Sequence, residues 1–235
     1  MIDLAAVGAA EYQIPMSIAS ATRPAAAIEW RLDPAPVGYE AAVAAMEARL
    51  HAIRHAGAPE LVWLLEHPPL FTAGTSAQES DLVAAILPVH RTGRGGQWTY
   101  HGPGQRVGYV MLDLTARGGD LRAYVRNLEE WLIRTLADFG VRGERRAGRI
   151  GIWVAAGGRE DKIAAIGVRI RQGVTYHGVS LNLNPDLTHY RGIVPCGISE
   201  HGVTSLHALG IATSMAELDG ALRANFEPIF AASAR

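Results

Sequence analysis

The chain has 235 residues, 22 basic and 23 acidic, for a formal net charge of −1, and 49% of it is hydrophobic. That is enough apolar material for one sizeable core, without the basic footprint of a nucleic-acid binder. No apolar run reaches the ~18–20 residues of a membrane-spanning helix, so no membrane partner is expected. The start, Met1 to Ser20, carries Asp3 and Glu11 and lacks a positive leading region, so it does not read as a signal peptide. Cys196 is the single cysteine, which excludes an internal disulfide and suits a reducing cytoplasm. Of the 22 basic residues only Lys162 is a lysine. Arginine does not titrate in proteins and lysine can, so Lys162 is the cation available for handling a proton.

Residues 1–25, rich in Ala and Ser, form an N-terminal extension ahead of a domain expected over 26–230. Ala27 to Leu32 reads as a strand. Tyr39, Val43, Met46, Leu50 and Ile53 recur at helical spacing up to Gly57. Short apolar runs at Leu61 to Leu65, Ile86 to Arg91 and Arg106 to Leu114 read as strands. Asp120 to Phe139 is the best helix, with Asp120 as N-cap and Gly140 as terminator. Ile150 to Ala155 is a strand. Lys162 to Ile170 and Val174 to Asn182 flank Arg171-Gln172-Gly173 as a hairpin with a three-residue loop. Centred on Gln172, that loop sets Gly167 opposite His177 and Lys162 opposite Asn182. Ser214 to Glu217 resembles a capping box opening a last helix through Phe226. Strands and helices mix without strict alternation, so the fold class is α+β with a mixed, largely antiparallel sheet flanked by helices.

Three segments carry possible chemistry. In Arg94-Gly95-Gly96-Gln97-Trp98-Thr99-Tyr100-His101, paired glycines let backbone approach a ligand, and the aromatics suit a groove for a long, weakly polar chain. A glycine-rich hairpin with inward aromatics fits equally. The Walker phosphate loop is absent. In the hairpin, the small residues Ala164, Ala165, Gly167 and Gly178 leave a gap that a ligand chain can fill; a tightly packed hairpin is the plainer reading. Cys196 sits between Pro195 and Gly197 in a turn, where a nucleophile is accessible, although lone cysteines are more often buried hydrophobes. Nine histidines show no metal-site spacing, so neither a metal nor another cofactor is expected. Arg142, Arg145, Arg146 and Arg149 form a basic cluster with Glu144, read as a solvated loop or a docking face for an acidic carrier.

Taken together, RGGQWTYHGPGQ at 94–105, LLEHPPLFTAG at 64–74, KIAAIGVRI, HGVSLN and the PCG turn resemble the octanoyltransferases of lipoate biosynthesis, in the biotin/lipoate ligase superfamily. The likeness covers roughly residues 28–225. Ile198, where an aromatic is common, and Ala164 depart from the pattern and are expected to tune the groove. The resemblance implies a biotin/lipoate ligase-like catalytic domain, with Cys196 as acyl-thioester nucleophile and Lys162 as its partner. It implies substrate contacts at Arg94 to His101, at Ala165, Ile166 and Gly167, and at Gly178, Val179 and Ser180. The implied donor is octanoyl-acyl carrier protein. The implied acceptors are lysines on lipoyl domains of 2-oxoacid dehydrogenase complexes and on the glycine cleavage H protein. The alternatives are an ATP-dependent lipoate- or biotin-protein ligase of the same fold, and a non-catalytic module that binds a carrier protein.

Overall fold

In the computed structural model, residues 28–194 and 201–230 are described. Strand β1 (Glu29–Leu32) leads into helix α1 (Tyr39–His55), then β2 (Leu61–Leu65), β3 (Leu70–Ala73), β4 (Val89–Arg91), β5 (Trp98–His101) and β6 (Gln105–Met111). Helix α2 (Leu121–Asp138) follows, then β7 (Glu144–Arg146), β8 (Arg149–Ala156), β9 (Arg159–Arg171), β10 (Val174–Asn182), β11 (Gly202–Val203) and α3 (Met215–Phe230). The main sheet runs β1-β2-β6-β10-β9-β8-β7, with β11 added on β9. Within that sheet the described pairings are antiparallel except β1–β2 and β11–β9, which are parallel. A second sheet, β4-β3-β5, stands apart. The expected mixed, largely antiparallel sheet with flanking helices is what the chain forms.

Alternation explains the layers. On β2, Leu61, Trp63 and Leu65 pack with Met46, Leu50 and Ile53 of α1. Val62 and Leu64 pack with Leu128, Trp131 and Leu132 of α2 and with Phe226 and Phe230 of α3. A strand covered on both faces reads as a continuous apolar run, as Leu-Val-Trp-Leu-Leu does. Asp120 caps α2 by accepting from the Ala123 amide at 2.9 Å, and Gly140 ends it at φ +71°. Ser214 and Glu217 form the reciprocal capping box, with the Ser214 amide donating to Glu217 at 2.8 Å and the Glu217 amide to Ser214 Oγ at 3.3 Å. Helix α3 continues past Phe226 to Phe230.

Three expectations need correction. Strand β4 is only Val89–Arg91, an edge strand, and Ile86 is 59% exposed. Strands β3 and β5 were not legible as strands; both lie in the small second sheet. In the β9–β10 hairpin Arg171 pairs with Val174, so the loop is the two residues Gln172 and Gly173, at φ +53° and +79°. Two left-handed residues are the signature of a tight type I′ connection. The register moves by one: Gly167 faces Gly178, and Ala165 faces Ser180.

That register puts two glycines against the neighbouring strands. A Cβ on Gly178 would lie 2.1 Å from the Gly108 carbonyl oxygen, a backbone atom that cannot rotate away. Gly178→Ala is therefore expected to lower stability by about 1–3 kcal/mol, the usual range for overpacking. Urea denaturation checks it; an unchanged midpoint would mean that β10 can slide off β6 freely.

Candidate functional site

A cavity of about 480 Å³ opens between the glycine-rich loop before β5, the small residues of β9 and β10, and the start of α2. Residues on directly opposed positions of antiparallel strands project to one side. The pairs Ala165–Ser180 and Gly167–Gly178 thus strip the side chains from one stretch of the sheet. The loop settles onto it: the Gly95 amide donates to the Val168 carbonyl at 2.9 Å, and a Cβ on Gly167 would meet Arg94 Cδ at 3.0 Å.

Arg94, 7% exposed, organises that loop. Its Nη2 donates to Thr72 O at 2.8 Å, Thr72 Oγ1 at 2.6 Å and Gln97 O at 3.0 Å, and its Nη1 to Gly95 O at 3.0 Å. A lysine cannot supply this fork. Arg94→Lys is expected to cost about 3 kcal/mol, since hydrogen bonds from a charged donor contribute ~1.5–3 kcal/mol each. Thermal unfolding beside a donor-concentration titration checks it, with a weaker apparent affinity for acyl donor as the companion result.

Lys162 lies at the other end. It is 6% exposed, its Nζ donates to the Ile150 carbonyl at 3.0 Å, and the ammonium stands 4.7 Å from the centroid of the Trp153 ring. Trp153 pairs with Lys162 across β8 and β9, and the register slips next to that pair, since Ile152 then pairs with Ala164. Such a bulge re-aims side chains. Gly151, at φ +121°, leaves room for the lysine: a Cβ there would come within 3.3 Å of Nζ. Lys162 also sits where β9 has left β10 and takes up β11, with Val203 as its register partner and Thr204 N donating to its carbonyl at 2.9 Å.

Among the residues singled out from sequence, Arg94, Gly95, Gly96, Gln97, Trp98, Thr99, His101, Lys162, Ala165, Ile166, Gly167, Gly178, Val179 and Ser180 line this one cavity. Tyr100 is not in the lining; its ring packs with Phe71 and Tyr190 in the core under the small sheet. Cys196 lies outside the described residues. The chain is pinned just before it, where Val194 N donates to Asp81 O at 2.7 Å, and again at β11. Gln105 and Asn182 tie the surroundings together. Gln105 Nε2 donates to Asn182 Oδ1 at 2.9 Å and Tyr190 Oη at 3.1 Å, and Asn182 Nδ2 donates to Thr204 O at 2.9 Å.

Sequence reasoning missed Tyr39, Tyr109, Leu121, Val125, Ile150, His177 and Val203, which also line the cavity. Leu121 falls at helical spacing with the buried Leu128 and Leu132, yet it is 43% exposed at the cavity. Three histidines in this region are buried and held neutral. Burial pushes His67 down to about 4 and, helped by Arg94 and Arg169, His177 down to about 3; burial likewise drives His101 well below its usual value. Among the described residues no three His, Asp, Glu or Cys groups are arranged to hold a metal. The four arginines of the basic cluster are each paired, Arg145 with Glu129 and Glu130, Arg142 with Glu144, Arg146 with Glu144 and Glu160, and Arg149 with Glu160. No described helix is long and apolar enough to cross a membrane.

The fold is that of the lipoyl protein ligase A/B catalytic domain, whose family model matches residues 38–227. A lipoate-protein ligase A bound with ATP superposes with a TM-score of 0.66 at 16% identity, over 86% of each chain. A bipartite lipoate protein ligase from Thermoplasma acidophilum gives 0.64 at 17%, over 87% of this chain and 85% of the other. An octanoyltransferase of Paramagnetospirillum magneticum is 65% identical over 207 residues, 87% of this chain and 98% of the relative. One from Rhodospirillum rubrum is 60% identical over 205 residues, 86% and 95% respectively. The chain belongs to the lipoyl protein ligase A/B catalytic-domain family and, within it, to the octanoyltransferases, which are acyltransferases.

Proposed function

We propose that this protein moves an octanoyl or lipoyl group from octanoyl-acyl carrier protein to a lysine of a lipoyl domain, through a thioester on Cys196. The acceptors are the lipoyl domains of 2-oxoacid dehydrogenase complexes and the glycine cleavage H protein. Residues 26–230 act as the catalytic domain, 1–25 as an extension, and the setting is the reducing cytoplasm. The observation that carries the reading is the position of Lys162: it ends a cavity floored by Ala165, Gly167, Gly178 and Ser180, and its strand partner Val203 follows Cys196 by seven residues. The relatives named octanoyltransferase support the acyl group.

The first half-reaction is thiol exchange. The Cys196 thiol passes its proton to Lys162, and the thiolate attacks the donor thioester carbonyl. The new C–S bond forms as the carrier's C–S bond breaks, and the carrier thiolate leaves with the proton returned by Lys162. A free cysteine is only a few per cent thiolate near pH 7, so an adjacent ammonium or a base raises the reactive fraction. In the second half, the acceptor amine attacks the acyl-enzyme, an amide forms, the Cys196 thiolate leaves, and Lys162 takes the amine's proton. Thioester exchange is near thermoneutral and amide formation is downhill, so neither step needs ATP. Arg94 and the glycine-rich loop hold the chain along the cavity.

Intact-protein mass spectrometry tests this. Mixed with octanoyl-acyl carrier protein and no acceptor, the protein should gain one hydroxylamine-labile octanoyl group, and Cys196→Ala should gain none. Absence of the adduct on a folded protein, with ATP-dependent incorporation of free octanoate instead, would replace this reading by the ligase.

A further inference from the structure

The two ends of the cavity differ in chemistry. Beside Lys162 the lining includes Ile150, whose carbonyl its ammonium meets, and Val203, its register partner. The other end is built from Tyr39, Arg94, Gln97, His101, Tyr109 and His177. His177 faces Val168, six residues along β9 from Lys162, or roughly 20 Å at ~3.3 Å per residue. An n-alkyl tail has no use for a polar terminus, so this end calls for a ligand group that the octanoyl chain does not provide.

Three polar atoms there stand without partners among the described residues, His177 Nδ1, Gln97 Oε1 and Tyr39 Oη. His177 is 3% exposed and Tyr109, against its ring at 5.9 Å, already has its hydroxyl bonded to His67 at 2.7 Å. A buried polar atom left unmet is costly and rare, and in a cavity wall it marks a place for a ligand atom. The backbone adds a second sign. His177 holds φ +60° in the middle of a strand, an unusual state for a residue with a side chain, and it lines the cavity directly beside Gly178.

We propose that the end of the cavity at His177 and Gln97 is a subsite for a hydroxyl group, so that the protein also takes acyl chains ending in a hydroxyl. The direction of the chain, carbonyl at Lys162 and tail toward His177, rests on the function proposed above. A cationic tail is disfavoured by the burial that keeps His177 neutral and by the Arg94 and Arg169 charges near it, and a carboxylate has no proton to give Gln97 Oε1. A neutral imidazole offers one N–H and one lone pair, and Gln97 Oε1 only accepts. A hydroxyl accepts from Nδ1–H while donating to Gln97 Oε1, or donates to Nδ1 when the ring proton is on Nε2, so it meets Nδ1 in either tautomer; a ketone only accepts.

Paired carrier-protein thioesters of eight, twelve and sixteen carbons, plain and ω-hydroxylated, test this in competition, the longest being the one that spans the distance to His177. An apolar pocket rejects an added hydroxyl by up to ~10²-fold. Here the hydroxylated chain should compete within about threefold of its plain partner at the length that reaches His177. His177→Phe should lower that ratio about tenfold, and His177→Asn, which tolerates left-handed backbone, should lower it less. Rejection near ~10²-fold at every length in the unaltered protein overturns the proposal, whether or not the variants fold. So does a ratio unmoved in a folded His177→Phe, which would mean that bound water alone serves the hydroxyl. Calorimetry with free hexadecanoate and 16-hydroxyhexadecanoate reads the subsite without turnover. A protein that prefers the hydroxy acid yet transfers no octanoyl group keeps the subsite and loses the Cys196 mechanism; one that transfers octanoyl but prefers hexadecanoate does the reverse.

Discussion

Lys162→Met is expected to lose at least ~10²-fold in kcat/KM for acyl transfer while the fold survives, because positioned acid–base groups typically contribute ~10²–10⁴-fold. Methionine fills nearly the same space along Gly151 and Trp153 but carries neither charge nor proton. Lys162→Arg separates the two roles. It keeps a cation and removes the proton that can be given up. A guanidinium is also bulkier than an ammonium, and the space beside Gly151 is narrow, with Nζ only 3.3 Å from where a Cβ would stand. The expected order is unaltered protein far above Lys162→Arg, with Lys162→Met lowest. Single-turnover kinetics distinguish the steps: Lys162→Arg should form acyl-enzyme faster than Lys162→Met, yet both should pass the acyl group to the acceptor slowly. An arginine variant with full turnover would make Lys162 a fixed cation. A methionine variant with full turnover would remove it from the chemistry.

The segments of this site were legible in the sequence because each is local and compositional. Glycine pairs and a lone lysine show in one dimension, and so does the helix that Asp120 caps. What joined them was not legible. The hairpin was expected from Gly173, but its register depended on whether Gln172 also adopts left-handed backbone, which residue type does not announce. One residue of slip decides whether Gly167 faces His177 or Gly178, and only the second clears a floor for a ligand. The role of Arg94 was hidden for a similar reason. Its partner Thr72 lies 22 residues away on a strand of the small sheet, and β3 and β5 are too short and too mixed in polarity to announce themselves. Leu121 fits a helical apolar stripe as well as Leu128 does, yet only Leu128 is buried. Periodicity gives the apolar side of a helix and says nothing about where a cavity interrupts the core.

Acid is expected to unfold the protein earlier than its carboxylates alone would dictate. His67, His101 and His177 are 0%, 7% and 3% exposed and held neutral, with His67 at about 4 and His177 at about 3, against ~6.5 when the chain is unfolded. Below ~6.5 the unfolded chain therefore binds protons that the folded protein refuses. Stability is full above that value and falls as pH drops toward 4. Each such histidine contributes a slope of up to about 1.4 kcal/mol per pH unit, so three together can remove several kcal/mol by pH 5. Carboxylates such as Glu130, Glu160 and Asp186 are held below their ordinary values by arginine partners or, for Asp186, by Thr188, so their losses come at lower pH and leave this window to the histidines. Urea denaturation from pH 7.5 to 4.5 should show a steepening loss below 6.5. His67→Gln, which keeps hydrogen-bonding capacity toward Val37 and Tyr109, should flatten the slope by about one proton's share. A flat profile down to pH 5 would mean that the histidines protonate in place, with water or a carboxylate reaching them. The cavity end at His177 would then be a wet, charged site, and a hydroxyl would have no advantage there over an anionic tail.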